Sequence, residues 1–212
     1  MTSPISDFLA YVQYRLGAEF DPSGLVVPDT SWSARLQGSE TLWMVLEGTH
    51  VVTIMLFAGT ILFVDLRVLG LALRDTPVSR VSQAVLPYTV AGFALMAVTG
   101  AALFFANPLE YFHSFVFRLK AVFLLLAALN IFYFHWRASA RQHDWDAAAR
   151  TPLRVRASAG ASLALWLLVI ATGRYAAYDW FSCDQATGFI AQVSQCDDYT
   201  RSLTRAEAEL AL

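Results

Sequence analysis

Charged residues are scarce in this chain. Lys, Arg, Asp and Glu make up 15% of its 212 residues, whereas hydrophobic residues make up 57%. Soluble domains contain about 25% charged residues, so this composition is typical of a protein in contact with membrane lipid. The formal net charge is only −2, which leaves no basic excess, and we therefore expect no nucleic-acid partner.

Cysteine is almost absent as well. Cys183 and Cys196 are too few for an iron–sulfur or multi-cysteine metal site but sufficient for one disulfide. Redox-active pairs usually follow the pattern C-x-x-C, and here twelve residues separate the two. We expect a structural disulfide in an oxidising compartment. The N-terminus lacks a basic segment followed by an apolar one, so no cleaved signal peptide is predicted.

Four long apolar runs dominate the rest of the sequence, over residues 41–73, 81–106, 115–136 and 153–178. About 20 apolar residues suffice to cross a bilayer as a helix. The short connections between the runs predict an all-α, integral membrane, antiparallel four-helix bundle. A short amphipathic helix over residues 6–16 is expected to lie on the membrane or on the bundle.

Arginines mark one end of the predicted bundle. The first and third connections and the helix ends beside them contain Arg67, Arg74, Arg80, Arg137, Arg141, Arg150, Arg154 and Arg156. The connection at the other end, residues 107–114, has no Lys or Arg. The positive-inside rule therefore places the arginine-rich end in the cytoplasm of a bacterium, with both termini of this inner-membrane protein in the periplasm.

This topology divides the chain into three parts. Residues 1–40 form a periplasmic amphipathic segment, residues 41–178 form the transmembrane domain, and residues 179–212 form a periplasmic C-terminal tail with a disulfide loop. Both cysteines then lie in the oxidising periplasm, which agrees with the predicted disulfide.

Ionisable residues interrupt the first apolar run. At about 100° per residue, Glu47 and Asp65 lie at nearly the same angle on a helix, and His50 lies about 60° away. An ionisable group within a membrane helix is costly, so it is a functional candidate by default. For Asp65 we weigh an ion pair with a cytoplasmic-end arginine (Arg137, Arg154 or Arg156) against a role in a proton relay.

The third run contains three further polar candidates, Lys120, Asn130 and His135. Lys120 could form an inter-helix ion pair with Glu47, although a lysine at this depth can equally extend to the headgroups. Asn130 can hydrogen-bond to a neighbouring helix.

Two histidines, His50 and His113, lie toward the same predicted side of the membrane. Those four-helix membrane bundles that bind haem b use neutral imidazoles on facing helices as axial ligands. We therefore predict that His50 and His113 are axial ligands of a b-type haem iron. The second and fourth runs contain no histidine, which leaves no ligands there for a second haem. The alternative is that His50 only hydrogen-bonds within the bundle and that His113 is interfacial.

The pattern E-x-x-H followed by D-L-R-x-x-G comprises Glu47, His50, Asp65, Leu66, Arg67 and Gly70. It resembles a bacterial family of four-helix inner-membrane proteins of unassigned function, over roughly residues 41–175. Thr99, Gly100, Phe104, Lys120 and Asn130 continue the resemblance. That family is in turn similar to membrane b-type cytochromes and to copper-resistance membrane proteins, which share a four-helix plan and helix-borne histidines.

Three functions follow as hypotheses. The leading one is a b-type cytochrome-like protein that passes electrons between its haem and a quinone or a periplasmic redox protein. The first alternative is a cofactor-free accessory or assembly subunit, bound to other membrane subunits, in which the polar residues hold the helices together. The second alternative is a proton or small-ion pathway along the first helix. The sequence shows no nucleophile triad or phosphate loop, and enzymatic activity is left open.

Overall fold

The computed structural model describes residues 3–134, 136, 145–146, 151–176, 178 and 181–211. Within these residues the protein is all-helical, with 78% helix and no strand. The helices in chain order are α1 (Pro4–Tyr14), α2 (Trp32–Gly38), α3 (Glu40–Leu69), α4 (Val78–Ala106), α5 (Pro108–His113), α6 (Phe115–Tyr133), α7 (Leu153–Tyr175), α8 (Gly188–Ser194) and α9 (Cys196–Ala211).

Four of these helices, α3, α4, α6 and α7, are long and apolar enough to cross a membrane. They coincide with the four apolar runs of the sequence, so the predicted fold class is confirmed. The predicted site residue His135 and the basic residues Arg137, Arg141 and Arg150 lie outside the described residues.

Local sequence signals explain where several helices begin and end. Ser3 caps α1 by accepting a hydrogen bond from the Ser6 backbone N–H, so this helix begins earlier than the apolar spacing predicts. Gly70, with φ of +74°, ends α3 in the left-handed conformation that glycine adopts most readily. Pro87 lies inside α4, as membrane helices tolerate.

The C-terminal residues are more ordered than the predicted tail with a disulfide loop. They form α8 and α9, and α9 packs against α1 and α5. The disulfide prediction is confirmed: Cys183 and Cys196 are bonded, with their Cα atoms 5.2 Å apart.

The chain forms two compact units. The first unit comprises Met1–Thr49, Val98–Leu119 and Arg174–Leu212, and the second comprises His50–Ala97 and Lys120–Gly173. The core of the first unit contains Leu9, Ala10 and Leu109.

The second unit contains two apolar clusters. The Phe57 cluster consists of Phe57, Ala127, Trp166 and Val169, with Phe57 and Trp166 in an edge-to-face contact at 4.8 Å between ring centroids. The Val68 cluster consists of Val68, Val78, Trp145, Val155 and Ala159. From the Phe57 cluster to the Val68 cluster, residue numbers increase along α3 and decrease along α7. The α3 and α7 helices of this unit therefore run antiparallel, as predicted.

Candidate functional site

A polar layer adjoins the Val68 cluster of the second unit. It consists of Asp65, Asn130, Ser158 and Ser162. On α3, Asp65 lies three residues before Val68, and on α7 the two serines lie on either side of Ala159 in the sequence. Ser158 and Ser162 are four residues apart and so share one face of their helix. The polar layer therefore joins α3, α6 and α7.

Asp65 is the one carboxylate of this layer, and it is only 8% exposed. Ser162 hydrogen-bonds to its carboxyl group, while Oδ2 has no partner among the described residues. An arginine partner is not found in the described part of the chain. Arg154 and Arg156 are exposed, and Arg137 lies outside that part.

Asn130 makes two hydrogen bonds to Ser158. Its Nδ2 donates to the Ser158 carbonyl at 3.0 Å, and the Ser158 hydroxyl donates to Oδ1 at 2.9 Å. Thr89 on α4 likewise donates to the Thr60 hydroxyl on α3 at 2.8 Å. The Asn130–Ser158 and Thr89–Thr60 pairs thus fix neighbouring helices to each other.

His50 and Lys120 form a separate polar group in the second unit. The His50 ring hydrogen-bonds to the Met96 backbone and interacts electrostatically with Lys120. The Lys120 ammonium lies against Gly173, 3.4 Å from the position that a Cβ atom would occupy there. Both side chains are half-buried, whereas Glu47, in the first unit, is exposed. The Glu47–Lys120 ion pair stays a prediction.

His113 belongs to a buried hydrogen-bond network in the first unit and is 0% exposed. Its Nδ1 lies 2.8 Å from the Ser194 carbonyl, and its Nε2 lies 3.0 Å from the Ser6 hydroxyl. Ser6 donates to Asp198 Oδ2 at 2.6 Å, and the Ser3 backbone N–H donates to Oδ1 at 3.0 Å. One histidine therefore connects α1, α5 and α8, and Ser6 extends the connection to α9.

The environment of this network lowers the pKa values of both His113 and Asp198. Burial, followed by the nearby Arg118, lowers the pKa of His113, against the opposing effects of the Ser194 carbonyl and Asp198. Burial alone would raise the pKa of Asp198, but hydrogen bonds from Ser6 and Ser3 outweigh it and hold that pKa below its ordinary value. The ionised carboxylate is thus the favoured form of Asp198 at neutral pH.

The Ser6, His113 and Asp198 side chains do not form a catalytic triad. In a triad the carboxylate binds the histidine and leaves the serine hydroxyl facing substrate. Here the serine binds the carboxylate, and both Ser6 and His113 are fully buried. The network is therefore built to hold helices together.

His113 also does not fit the predicted role of haem ligand. An axial histidine needs one ring nitrogen for the iron, and both ring nitrogens of His113 already contact partners within the first unit. The role of His50 as a haem ligand stays a prediction.

Sequence reasoning identified Asp65 and Asn130 but missed their partners Ser162 and Ser158. It also missed Ser6, Ser194 and Asp198. The only local signal was the spacing of Ser3 and Ser6 at the start of α1, since the other contacts join residues that are far apart in the sequence.

Four apolar helices that could cross a membrane, with polar side chains buried among them, define a multi-pass helical membrane protein. The chain belongs to a family of unknown function, DUF6644, whose model matches residues 42–179. This match agrees with the predicted resemblance to an uncharacterised four-helix family. Comparisons with curated proteins and with solved structures find no match. The similarity to cytochromes and copper-resistance proteins is not shown.

Proposed function

We propose that this protein takes up and releases a proton at Asp65 and acts as a proton-pathway protein of the membrane. The observation that carries the proposal is that Asp65 is buried with one carboxylate oxygen unpartnered among the described residues. Carboxylates that serve structure alone are normally ion-paired or fully hydrogen-bonded, whereas buried carboxylates of membrane helices are typical of proton relays.

Ser162 is a suitable partner for both forms of Asp65. A hydroxyl donates to an ionised carboxylate and accepts from a protonated one, so only its O–H needs to rotate when the proton is exchanged. The neighbouring Ser158 hydroxyl donates to Asn130 and so is not a partner of Asp65.

The Val68 cluster packs beside the polar layer, and the Phe57 cluster lies further along α3 and α7. Closely packed apolar side chains leave few voids that could hold water. We therefore expect proton transfer to require movement of side chains or helices, and to be slower than conduction through an open pore.

The test is proton flux in vesicles that contain the purified full-length protein and an entrapped pH-sensitive dye. With a potassium diffusion potential as driving force, the wild type should move protons faster than empty vesicles. Asp65→Asn keeps the size and hydrogen-bonding capacity of the side chain but cannot exchange a proton at neutral pH. We expect this variant to fall to the rate of empty vesicles.

Ser158→Ala is the matched control, because it removes a hydrogen bond from the same polar layer without touching Asp65. It should retain the wild-type flux. Equal flux through the wild type and Asp65→Asn, or no flux above empty vesicles through the wild type, would contradict the proposal. The accessory-subunit hypothesis, in which the polar layer only holds helices together, predicts that second result.

A further inference from the structure

One face of α1 exposes large apolar side chains, which we call the outer face of α1. It comprises Ile5, Phe8 and Tyr11, which are 56%, 62% and 49% exposed. Residues three apart are neighbours on a helix, so these side chains form one stripe. The opposite face packs against α5 and α9 through buried residues, Ser6, Leu9 and Ala10. The outer face of α1 therefore remains open after α1 has packed on the first unit.

The helix α9, which packs against α1, has a different exposed face. Its exposed residues include Arg201, Thr204, Arg205 and Glu207. Such side chains are suited to water, whereas a stripe of large apolar side chains marks a surface that contacts a membrane or another protein. Two helices of the same unit thus require different surroundings.

Hydrogen bonds fix the level of α1 relative to the end of α4. The Ser33 hydroxyl lies 2.8 Å from the carbonyl of Phe105, in the last turn of α4, and 3.2 Å from the carbonyl of Val12 on α1. Gln13 Oε1 accepts a hydrogen bond of 3.0 Å from the backbone N–H of Leu109, which follows α4 closely. The second half of α1 therefore lies beside the end of a membrane-spanning helix.

The length of α4 places this end in the headgroup region of a bilayer. At 1.5 Å per residue, its 29 residues extend over about 43 Å. The hydrocarbon core of a bilayer is about 30 Å thick, and about 40–45 Å with the headgroups. A helix beside the end of α4 thus lies at the depth where amphipathic helices bind the bilayer surface.

Lipid is the partner that the neighbouring helices favour. In the same unit, α3 exposes Val45 and α4 exposes Val98, and both helices are long and apolar enough to cross a membrane. Lipid contact at this part of the unit follows from the spanning helices themselves. The outer face of α1 continues such an apolar surface at the level where the headgroups begin.

We propose that α1 is an interfacial helix whose outer face enters the surface of the lipid bilayer beside the end of α4. Ile5 lies in the first turn of α1 and Tyr11 in the last, so the apolar stripe extends along the whole helix. A helix that lies in the plane of the bilayer surface buries such a stripe over its full length. Tyrosine is enriched at headgroup depth, where its ring meets lipid and its hydroxyl meets water.

Spin labelling of the full-length protein in phospholipid vesicles tests the proposal. A nitroxide is attached at Phe8→Cys, and Thr204→Cys on α9 is the matched control. The native cysteines do not react, because Cys183 and Cys196 are bonded to each other. Oxygen concentrates in lipid and a nickel chelate stays in water, so the two reagents show what each label contacts.

We expect oxygen to reach the label at position 8 more readily than the nickel chelate does, with a ratio that corresponds to a depth of about 5–10 Å. The label at position 204 should show the reverse preference. Equal access of the nickel chelate to both positions would show that the outer face of α1 contacts water and would overturn the proposal. Shielding of position 8 from both reagents would also overturn it, since protein would then cover this face.

Ile5→Cys is a second variant of the same face and should give the same preference for oxygen as Phe8→Cys. Both side chains are exposed, so neither substitution should change the unfolding temperature. If one variant is destabilised, the other decides the outcome. The result does not depend on proton exchange at Asp65, so the two proposals can fail separately.

Discussion

The buried polar residues of this protein differ in whether their hydrogen bonds are complete. Both oxygens of Asp198 accept hydrogen bonds, from Ser3 and Ser6. Asp65 and Ser202 each keep one atom unpartnered among the described residues. A complete hydrogen-bond network mainly holds a fold in place. An unsatisfied buried group lowers stability, so its presence calls for an explanation.

The pH dependence of stability tests whether the hydrogen bonds of Asp198 hold the fold in place. Because its pKa is lower in the folded chain than the ordinary value of 3.8, ionised Asp198 stabilises the first unit at neutral pH. This contribution is lost as the pH falls through the ordinary value toward the lowered one. Asp198→Asn should therefore lower the free energy of unfolding at about pH 7, by roughly 1.5–3 kcal/mol for hydrogen bonds to a charged group. The acid limb, which is the loss of stability as the pH falls below the ordinary pKa of Asp198, should be flatter in this variant.

The measurement is thermal melting combined with limited proteolysis of residues 3–38 over a series of pH values. His113 has a lowered pKa and also loses stability on acidification, but from its higher ordinary value of 6.5. The two effects therefore separate along the pH axis. An acid limb in Asp198→Asn identical to that of the wild type would show that Asp198 does not carry this stability.

At the scale of the helices, α4 comes close to α3 at Gly92. A Cβ atom at Gly92 would lie 3.1 Å from the backbone nitrogen of Phe57, and backbone cannot move aside as a side chain can. Gly59 on α3 has open space around it. Gly92→Ala should therefore destabilise the second unit by about 1–3 kcal/mol through overpacking, and Gly59→Ala should be neutral or stabilising by up to about 1 kcal/mol.

Unfolding of the two variants in mixed detergent micelles measures this difference. Both variants replace a glycine by alanine inside a long apolar helix, so the gain in helix propensity is the same in both. It therefore cancels when their stabilities are compared. Equal stability of the two variants would mean that α3 and α4 are not in close contact at Gly92.

The helices differ in how far the sequence predicts them. The four long helices are evident from hydropathy, because a bilayer demands about 20 apolar residues in a row. In contrast, α9 is polar and amphipathic, and its place depends on contacts with α1 and α5 that no local pattern records. The same limit applies to the polar layer: helical angles placed Asp65 on a candidate face, but they could not name Ser162 as the residue opposite.

At the scale of the whole molecule, the range that the family model matches can be compared with the two compact units. Residues 42–179 match the family, and this range contains the entire second unit with Asp65. The disulfide and Ser202 lie beyond it. The proposed site at Asp65 therefore lies within the range that the family model matches, whereas Asp198 lies outside it.

The orientation of the chain in the membrane is a further prediction at this scale. The arginine-rich end should face the cytoplasm and both termini the periplasm, because basic residues crowd the first and third connections. An epitope tag after residue 212 should be accessible to antibody from outside in spheroplasts. A tag inserted between residues 140 and 148 should be accessible only after lysis. The reverse pattern would show the opposite orientation.

Reversible proton binding by Asp65 is the central claim, and infrared difference spectroscopy of the purified protein tests it most directly. Spectra at high and low pH report the carbonyl stretch of a protonated carboxylic acid, which ionised carboxylates lack. We predict a pH-dependent band of this kind in the wild type and in Ser158→Ala, and its loss in Asp65→Asn. A set of carboxylic-acid bands that is identical in the wild type and Asp65→Asn at every pH would contradict the account.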